Sequence, residues 1–181
     1  MKLNVTIVAL LALVLLGGCS KPITSEQKPT NAEPKTIDFE QLQNRAGIQH
    51  EVNDPNPYTG KAVSWHENGQ KYMESNFVDG LEQGKSETWF SNGQKAIEEN
   101  YVEGKRHGKW EAWYEDGQKW SEKNYVDGKQ HGKHEGWYEN GGKKLESNYV
   151  DGKLHGKSIT WAESGEIFAE TNYADGVQEV K

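Results

Sequence analysis

Residues 125–141 read YVDGKQHGKHEGWYENG, and this run from Tyr125 to Gly141 decides the fold. Asp127-Gly128 and Asn140-Gly141 are dipeptides of tight turns, because glycine, and less readily asparagine and aspartate, accepts positive φ. The residues between them include Trp137 and Tyr138, which favour strands. One such run predicts one hairpin; the chain carries the run five times.

Laid against itself at a shift of 24, the sequence aligns Gly60, Gly84, Gly108, Gly132 and Gly156, each followed by a lysine (Lys61, Lys85, Lys109, Lys133, Lys157). Trp65, Trp89, Trp113, Trp137 and Trp161 fall in register, as do Gly69, Gly93, Gly117, Gly141 and Gly165. Glu74, Glu98, Glu122, Glu146 and Glu170 follow, then Asn76, Asn100, Asn124, Asn148 and Asn172. Phe77, Tyr101, Tyr125, Tyr149 and Tyr173 come next, and Gly80, Gly104, Gly128, Gly152 and Gly176 close the unit. The predicted fold is all-β: an elongated, single-layer antiparallel meander of five β-hairpin repeats over residues 60–181. Strands about 4.8 Å apart place successive repeats about 10 Å apart.

Turn length sets the register. A two-residue loop at Asn68-Gly69 places Trp65 across from Tyr72 and Glu87 across from Glu98, pairing like charges. A three-residue loop, Asn68-Gly69-Gln70, places Trp65 across from Met73, Trp89 from Ile97 and Trp137 from Leu145. It also gathers the tryptophan and tyrosine columns on one face, so the sequence favours it.

Upstream, residues 39–59 hold Leu42, Ile48, Val52 and Tyr58, interrupted by Ala46-Gly47 and by the run Asn53 to Pro57. They suit two short strands that cap the array. Residues 19–38 are polar, with little to bury, and read as a flexible tether. Residues 1–18 read as an export leader: Lys2, an apolar run from Val5 to Leu16, then Gly17-Gly18 before the chain's single cysteine, Cys19. The apolar run is shorter than the roughly 20 residues of a comfortable membrane span.

Leu16-Gly17-Gly18-Cys19 resembles the lipobox of bacterial lipoproteins. The resemblance implies a diacylglyceryl group on the Cys19 thiol, cleavage before it and a location in the cell envelope. With Ser20 next, it implies the outer membrane if the organism has two. The alternative is a secreted protein with a free thiol. Loss of Lys2 with the leader leaves 20 basic against 28 acidic residues, a formal charge of −8. That balance opposes nucleic-acid binding, and leaves the lipid as the route to the membrane.

The string from Tyr125 to Gly141 resembles a MORN repeat (membrane occupation and recognition nexus), in the bacterial variant found in small exported proteins and in a family labelled as antitoxin components. The resemblance implies a hairpin sheet that serves as a scaffold or protein contact. Phospholipid binding, also proposed for such repeats, fits poorly with the negative charge.

Because a one-layer sheet has no other core, the tryptophan and tyrosine columns are expected to be structural. Trp110, Trp120 and Phe168 fall outside the shared columns, and copy-specific residues suit recognition, so these three are the candidate binding residues. His107, His131 and His155 form a ladder, but at about 10 Å spacing they are too far apart to share a metal, whose ligands sit near 2 Å. A turn-stabilising role is expected for them. The paired acids recur with the repeat and read as a solvated face. No catalytic residue, metal site or cofactor is expected. The sequence therefore points to a non-enzymatic envelope lipoprotein that presents a repeat sheet to a protein partner. The alternatives are a glycan or peptidoglycan binder and an antitoxin-like or immunity-like inhibitor.

Overall fold

The structure, a computed structural model, describes residues 34–179. The leader, Cys19 and most of the expected tether lie outside the described residues. The chain begins with β1 (Thr36–Asp38), a short 3-10 turn (Phe39–Gln41), β2 (Leu42–Arg45) and β3 (Ile48–Glu51). The five repeats then supply β4 (Gly60–Trp65) with β5 (Lys71–Val78), β6 (Leu81–Trp89) with β7 (Lys95–Val102) and β8 (Lys105–Arg106), and β9 (Gly108–Trp113) with β10 (Lys119–Val126) and β11 (Lys129–Gln130). They continue with β12 (Gly132–Trp137), β13 (Lys143–Val150), β14 (Lys153–Leu154), β15 (Gly156–Trp161), β16 (Ile167–Ala174) and β17 (Val177–Gln178).

The repeat strands and β1 form one 15-stranded sheet in which chain order is sheet order, while β2 and β3 pair separately. Within the array every ladder is antiparallel, so the predicted meander is present. Among the described residues no helix is long and apolar enough to cross a membrane.

The two turns of each unit divide the chemistry differently from the sequence expectation. At Asp79-Gly80 both residues have positive φ, 48° and 77°, and Val78 pairs with Leu81 in a two-residue hairpin. At Asn68-Gly69 only the glycine does, at 81°; its N–H donates to the His66 carbonyl at 2.9 Å, and the His66 N–H donates to the Gln70 carbonyl at 2.8 Å. This is a four-residue turn closed by a glycine bulge. Asn68 holds it: its Oδ1 accepts from the Gln70 N–H at 3.0 Å, and its Nδ2 donates to the Ser91 carbonyl of the next repeat at 2.7 Å.

A second bulge, with Tyr72 as its extra residue, corrects the expected register. Ser64 pairs with Met73 and Glu87 with Glu98, and the ladder then shifts so that Trp65 pairs with Lys71. The rejected pairing of like charges is therefore present, and its cost is removed from the side. Lys85 lies 3.0 Å from both Glu87 and Glu98, and Lys95 bridges the same two acids from the other end. Lys109 and Lys119 do this for Glu111 and Glu122, and Lys133 and Lys143 for Glu135 and Glu146.

The aromatic columns, expected on one side, are consequently split between two faces. Trp89, Trp113, Trp137 and Trp161 lie on the lysine–glutamate face, each beneath the ammonium of the preceding repeat (Lys71, Lys95, Lys119, Lys143) at 5.0–5.8 Å. Trp65 has no repeat before it and is largely exposed. Phe77, Tyr101, Tyr125, Tyr149 and Tyr173 occupy the opposite, tyrosine face, across from Gly60, Gly84, Gly108, Gly132 and Gly156.

The cap covers the tyrosine face of repeat 1. Ile37, Tyr58, Ala62 and Phe77 form a buried cluster, with Phe39 and Leu42 packed against it. Phe39 and Tyr58 sit 6.1 and 6.0 Å from the Phe77 ring. β2 and β3 are the two short strands expected in residues 39–59, turning at Ala46-Gly47. The expected tether ends earlier than residue 38: Thr36–Asp38 add to β4 as a parallel edge strand, because Ile37 finds a hydrophobic site beside Ala62.

Candidate functional site

Beyond the cap no element among the described residues packs over the tyrosine face, and there the copies differ. Cross-strand pairing places Trp110 opposite Lys123 and Ala112 opposite Ser121; Ser121 pairs with Gly136, and Gly136 with Leu145. The row continues to Thr160 and Ala169. Small residues here leave space that larger neighbours surround.

Trp110 and Trp120, two of the three candidate binding residues, meet edge to face with centroids 6.3 Å apart. Trp110 is only 8% exposed, held under the Lys123 ammonium at 4.6 Å and against Trp120, so it serves as a floor. Trp120 is 44% exposed and packs on Tyr114 at 6.5 Å. Phe168 is 81% exposed and stands in a separate, adjacent hollow. Trp120 and Phe168 occupy equivalent positions in their repeats, the extra residue of the bulge, which the ladder leaves unpaired.

Two hollows adjoin. The smaller, about 210 Å³, is lined by Trp120, Ser121, Lys123, His134, Gly136, Lys144 and Leu145. The larger, about 600 Å³, is formed by Tyr138, Thr160, Trp161, Ala162, Glu163 and Phe168 together with the same Lys144 and Leu145. One of its lining positions varies between the copies. Four repeats place His66, Phe90, Tyr114 or Tyr138 at a position where the fifth has Ala162. His66 Nε2 lies 2.8 Å from the Trp89 carbonyl, and the Tyr114 and Tyr138 hydroxyls donate to the carbonyls of Trp137 and Trp161 at 2.8 and 2.7 Å. Ala162, in the last repeat, contributes only a methyl group to the wall of the larger hollow, and no further repeat follows it among the described residues.

The electrostatics of this face contrast with the other. Glu99 is buried, accepts from Arg106 Nε at 2.6 Å and from the Tyr101 hydroxyl at 3.1 Å, and Arg106 lies over the Tyr125 ring at 5.7 Å. Burial, with Glu82 and Glu99 nearby, pushes the Tyr101 hydroxyl up to about 12. Burial and the Lys123 charge push His134 down to about 4, so its ring is neutral near pH 7. His134 Nε2 lies 3.1 Å from Ser121 Oγ, and its buried Nδ1 has no hydrogen-bond partner among the described residues. Burial, aided by Arg106, lowers Lys123.

His107, His131 and His155 each lie 3.8 Å from the turn aspartate of the following repeat (Asp127, Asp151, Asp175). The His107 and His131 backbone N–H groups donate to Asn100 and Asn124 at 2.8 Å, consistent with a turn role. Among the described residues no three His, Cys, Asp or Glu side chains are gathered to hold a metal.

Sequence reasoning singled out Trp110, Trp120 and Phe168 as candidates, but not Lys123, His134, Gly136, Lys144 and Ala162, which line the hollows. The same signal marks these. Each is a departure at its own repeat position, such as alanine against His, Phe, Tyr and Tyr, although none is a tryptophan, tyrosine or phenylalanine.

Fold and site together define a β-hairpin repeat protein of the kind that binds or scaffolds through a sheet face. Four of its repeats match the family described as MORN repeat variant, over residues 58–79, 82–103, 106–127 and 130–151, at the 24-residue spacing of the sequence columns. The fifth unit lies outside the match, although β15 and β16 form the same hairpin. No curated protein matches the chain. Among solved structures, one chain of "Crystal structure of GtfA/B complex bound to UDP and GlcNAc" is 10% identical over 77% of this chain, with a TM-score of 0.25. The match spans 26% of that longer chain, a likeness too loose to bear on fold or function.

Proposed function

We propose that this chain is a non-enzymatic envelope lipoprotein that presents the tyrosine face of its repeat sheet to a protein partner, held to the membrane by a lipid on Cys19. The observation that carries the binding role is the pair of adjoining hollows on that face, where exposed Phe168 and Trp120 flank unfilled apolar space. The lysine–glutamate face supports the choice of side, since its ammonium and carboxylate groups already neutralise one another within each hairpin.

The anchoring follows from the Leu16-Gly17-Gly18-Cys19 run and the polar stretch after it. One acyl chain holds a protein weakly and two or three hold it firmly, at about 0.8 kcal/mol per buried CH₂. Cys19→Ser is expected to abolish processing and move the protein out of the membrane fraction; unchanged fractionation refutes the anchor. Affinity capture from envelope extracts is expected to return one protein in stoichiometric amount, released by Trp120→Ala. Turnover of any substrate by the purified chain refutes the non-enzymatic reading.

A further inference from the structure

On the tyrosine face of repeats 3 to 5 we propose a peptide-docking groove that takes an extended acidic segment of the partner: a carboxylate held between Lys123 and Lys144, and a neighbouring apolar side chain in the larger hollow walled by Leu145, Ala162 and Phe168. The inference rests on the binding-module reading and adds the chemistry of what is bound.

The lysines supply the first argument. Those on the opposite face are paired with carboxylates, from Lys61 with Glu74 through Lys157 with Glu170. Lys123 and Lys144 have no carboxylate within 4.0 Å among the described residues, yet both line the smaller hollow. Each is steadied by an aromatic ring instead, Lys123 over Trp110 at 4.6 Å and Lys144 over Tyr138 at 5.2 Å. Two cations held on rings beside one hollow, without an anion, complement an incoming carboxylate.

The larger hollow supplies the second. It shares Lys144 and Leu145 with the first, so one ligand can enter both. Thr160, Glu163 and Lys144 are the polar side chains at its rim, and the Tyr138 hydroxyl is committed to the Trp161 carbonyl. Its remaining walls are aromatic or aliphatic. Such a space suits a leucine or phenylalanine side chain, and offers few donors to a hydroxyl-rich sugar.

The chain itself supplies the third. In the segment Ile37-Asp38-Phe39-Glu40, apolar residues alternate with acids, and Ile37 and Phe39 dock against Ala62 and Phe77 on this same face of repeat 1. At repeats 3 to 5 the equivalent face has no such cover among the described residues.

The test is fluorescence anisotropy of a labelled peptide alternating glutamate with leucine and phenylalanine, titrated with the full chain. Ala162→Tyr is the diagnostic variant, because it sets a ring on a residue that lines the larger hollow, at a repeat position where Tyr114 and Tyr138 are already tolerated. The peptide is expected to bind, and to bind more weakly at high salt. Ala162→Tyr and the double variant Lys123→Gln/Lys144→Gln are each expected to weaken it by about tenfold or more, as is glutamine in place of the peptide's glutamates. Failure of the peptide to bind, or equal binding in either variant or by the glutamine peptide, overturns the groove. So does retention on isolated peptidoglycan that Ala162→Tyr abolishes, which would mark a glycan site. If both variants still capture the envelope partner, the groove falls while the binding-module reading stands; if no partner is captured by any form, that reading falls too.

Discussion

Lys123 faces Trp110 directly across the β9–β10 ladder, its Nζ 4.6 Å from the ring centroid, and so closes over the one tryptophan that is buried on the tyrosine face. Trp110 stands where repeat 1 has Ala62. In repeat 1 the cap covers that position, whereas in repeat 3 the indole must supply the apolar surface itself.

The two neighbouring tryptophans are therefore expected to separate stability from binding. Trp110→Ala should cost about 3 kcal/mol, as large-to-small changes at buried aromatics do. Trp120→Ala should cost under about 1 kcal/mol while releasing the partner. Because repeat arrays can open locally, hydrogen exchange of β9 and β10 is the suitable stability readout.

Glycines at positive φ should differ by what surrounds them. Gly132, at 81°, has open space where a Cβ would go, so Gly132→Ala should cost about 1–2 kcal/mol from backbone strain alone. At Gly80, a Cβ would overlap the Ile48 side chain and lie 2.6 Å from the Gln49 carbonyl. Gly80→Ala should cost more and expose the cap to proteolysis near β3, as limited digestion would show.

Stability should fall in acid in two stages. His134 is pushed down to about 4 from 6.5, chiefly by burial, so below pH 6.5 the unfolded chain takes up a proton that the folded chain refuses. For Glu111, desolvation acts upward but is outweighed by hydrogen bonds from Lys109 and Lys119, which hold it below 4.5. Glu87 is lowered likewise by Lys95 and Lys85. The stability these carboxylates contribute is present above the unfolded value and is lost as pH falls through the lower folded one. Thermal unfolding against pH should thus show a shallow decline beginning near 6.5, absent in His134→Gln, and a steeper one below 4.5 in both proteins.

The period of 24, the turn glycines and the cap's two strands were legible because each depends on local chemistry. The register was not. It turns on a bulge at Tyr72, and on Lys85 and Lys95 cancelling the Glu87–Glu98 repulsion from the side, which pairwise reasoning about opposite residues omits. Ile37 is a single apolar residue in a polar run, and only the three-dimensional proximity of Ala62 and Phe77 gives it a site. The residues that line the hollows were half legible. Copy-specific aromatics stood out, but Lys144, Leu145 and Ala162 come together only when neighbouring repeats are set side by side.

The most direct test of the account is site-specific photo-crosslinking in the envelope, with a benzoylphenylalanine placed at position 168 on the tyrosine face or at position 113 on the lysine–glutamate face. The account predicts a discrete adduct from position 168 and none from position 113. An adduct from position 113 alone would contradict it.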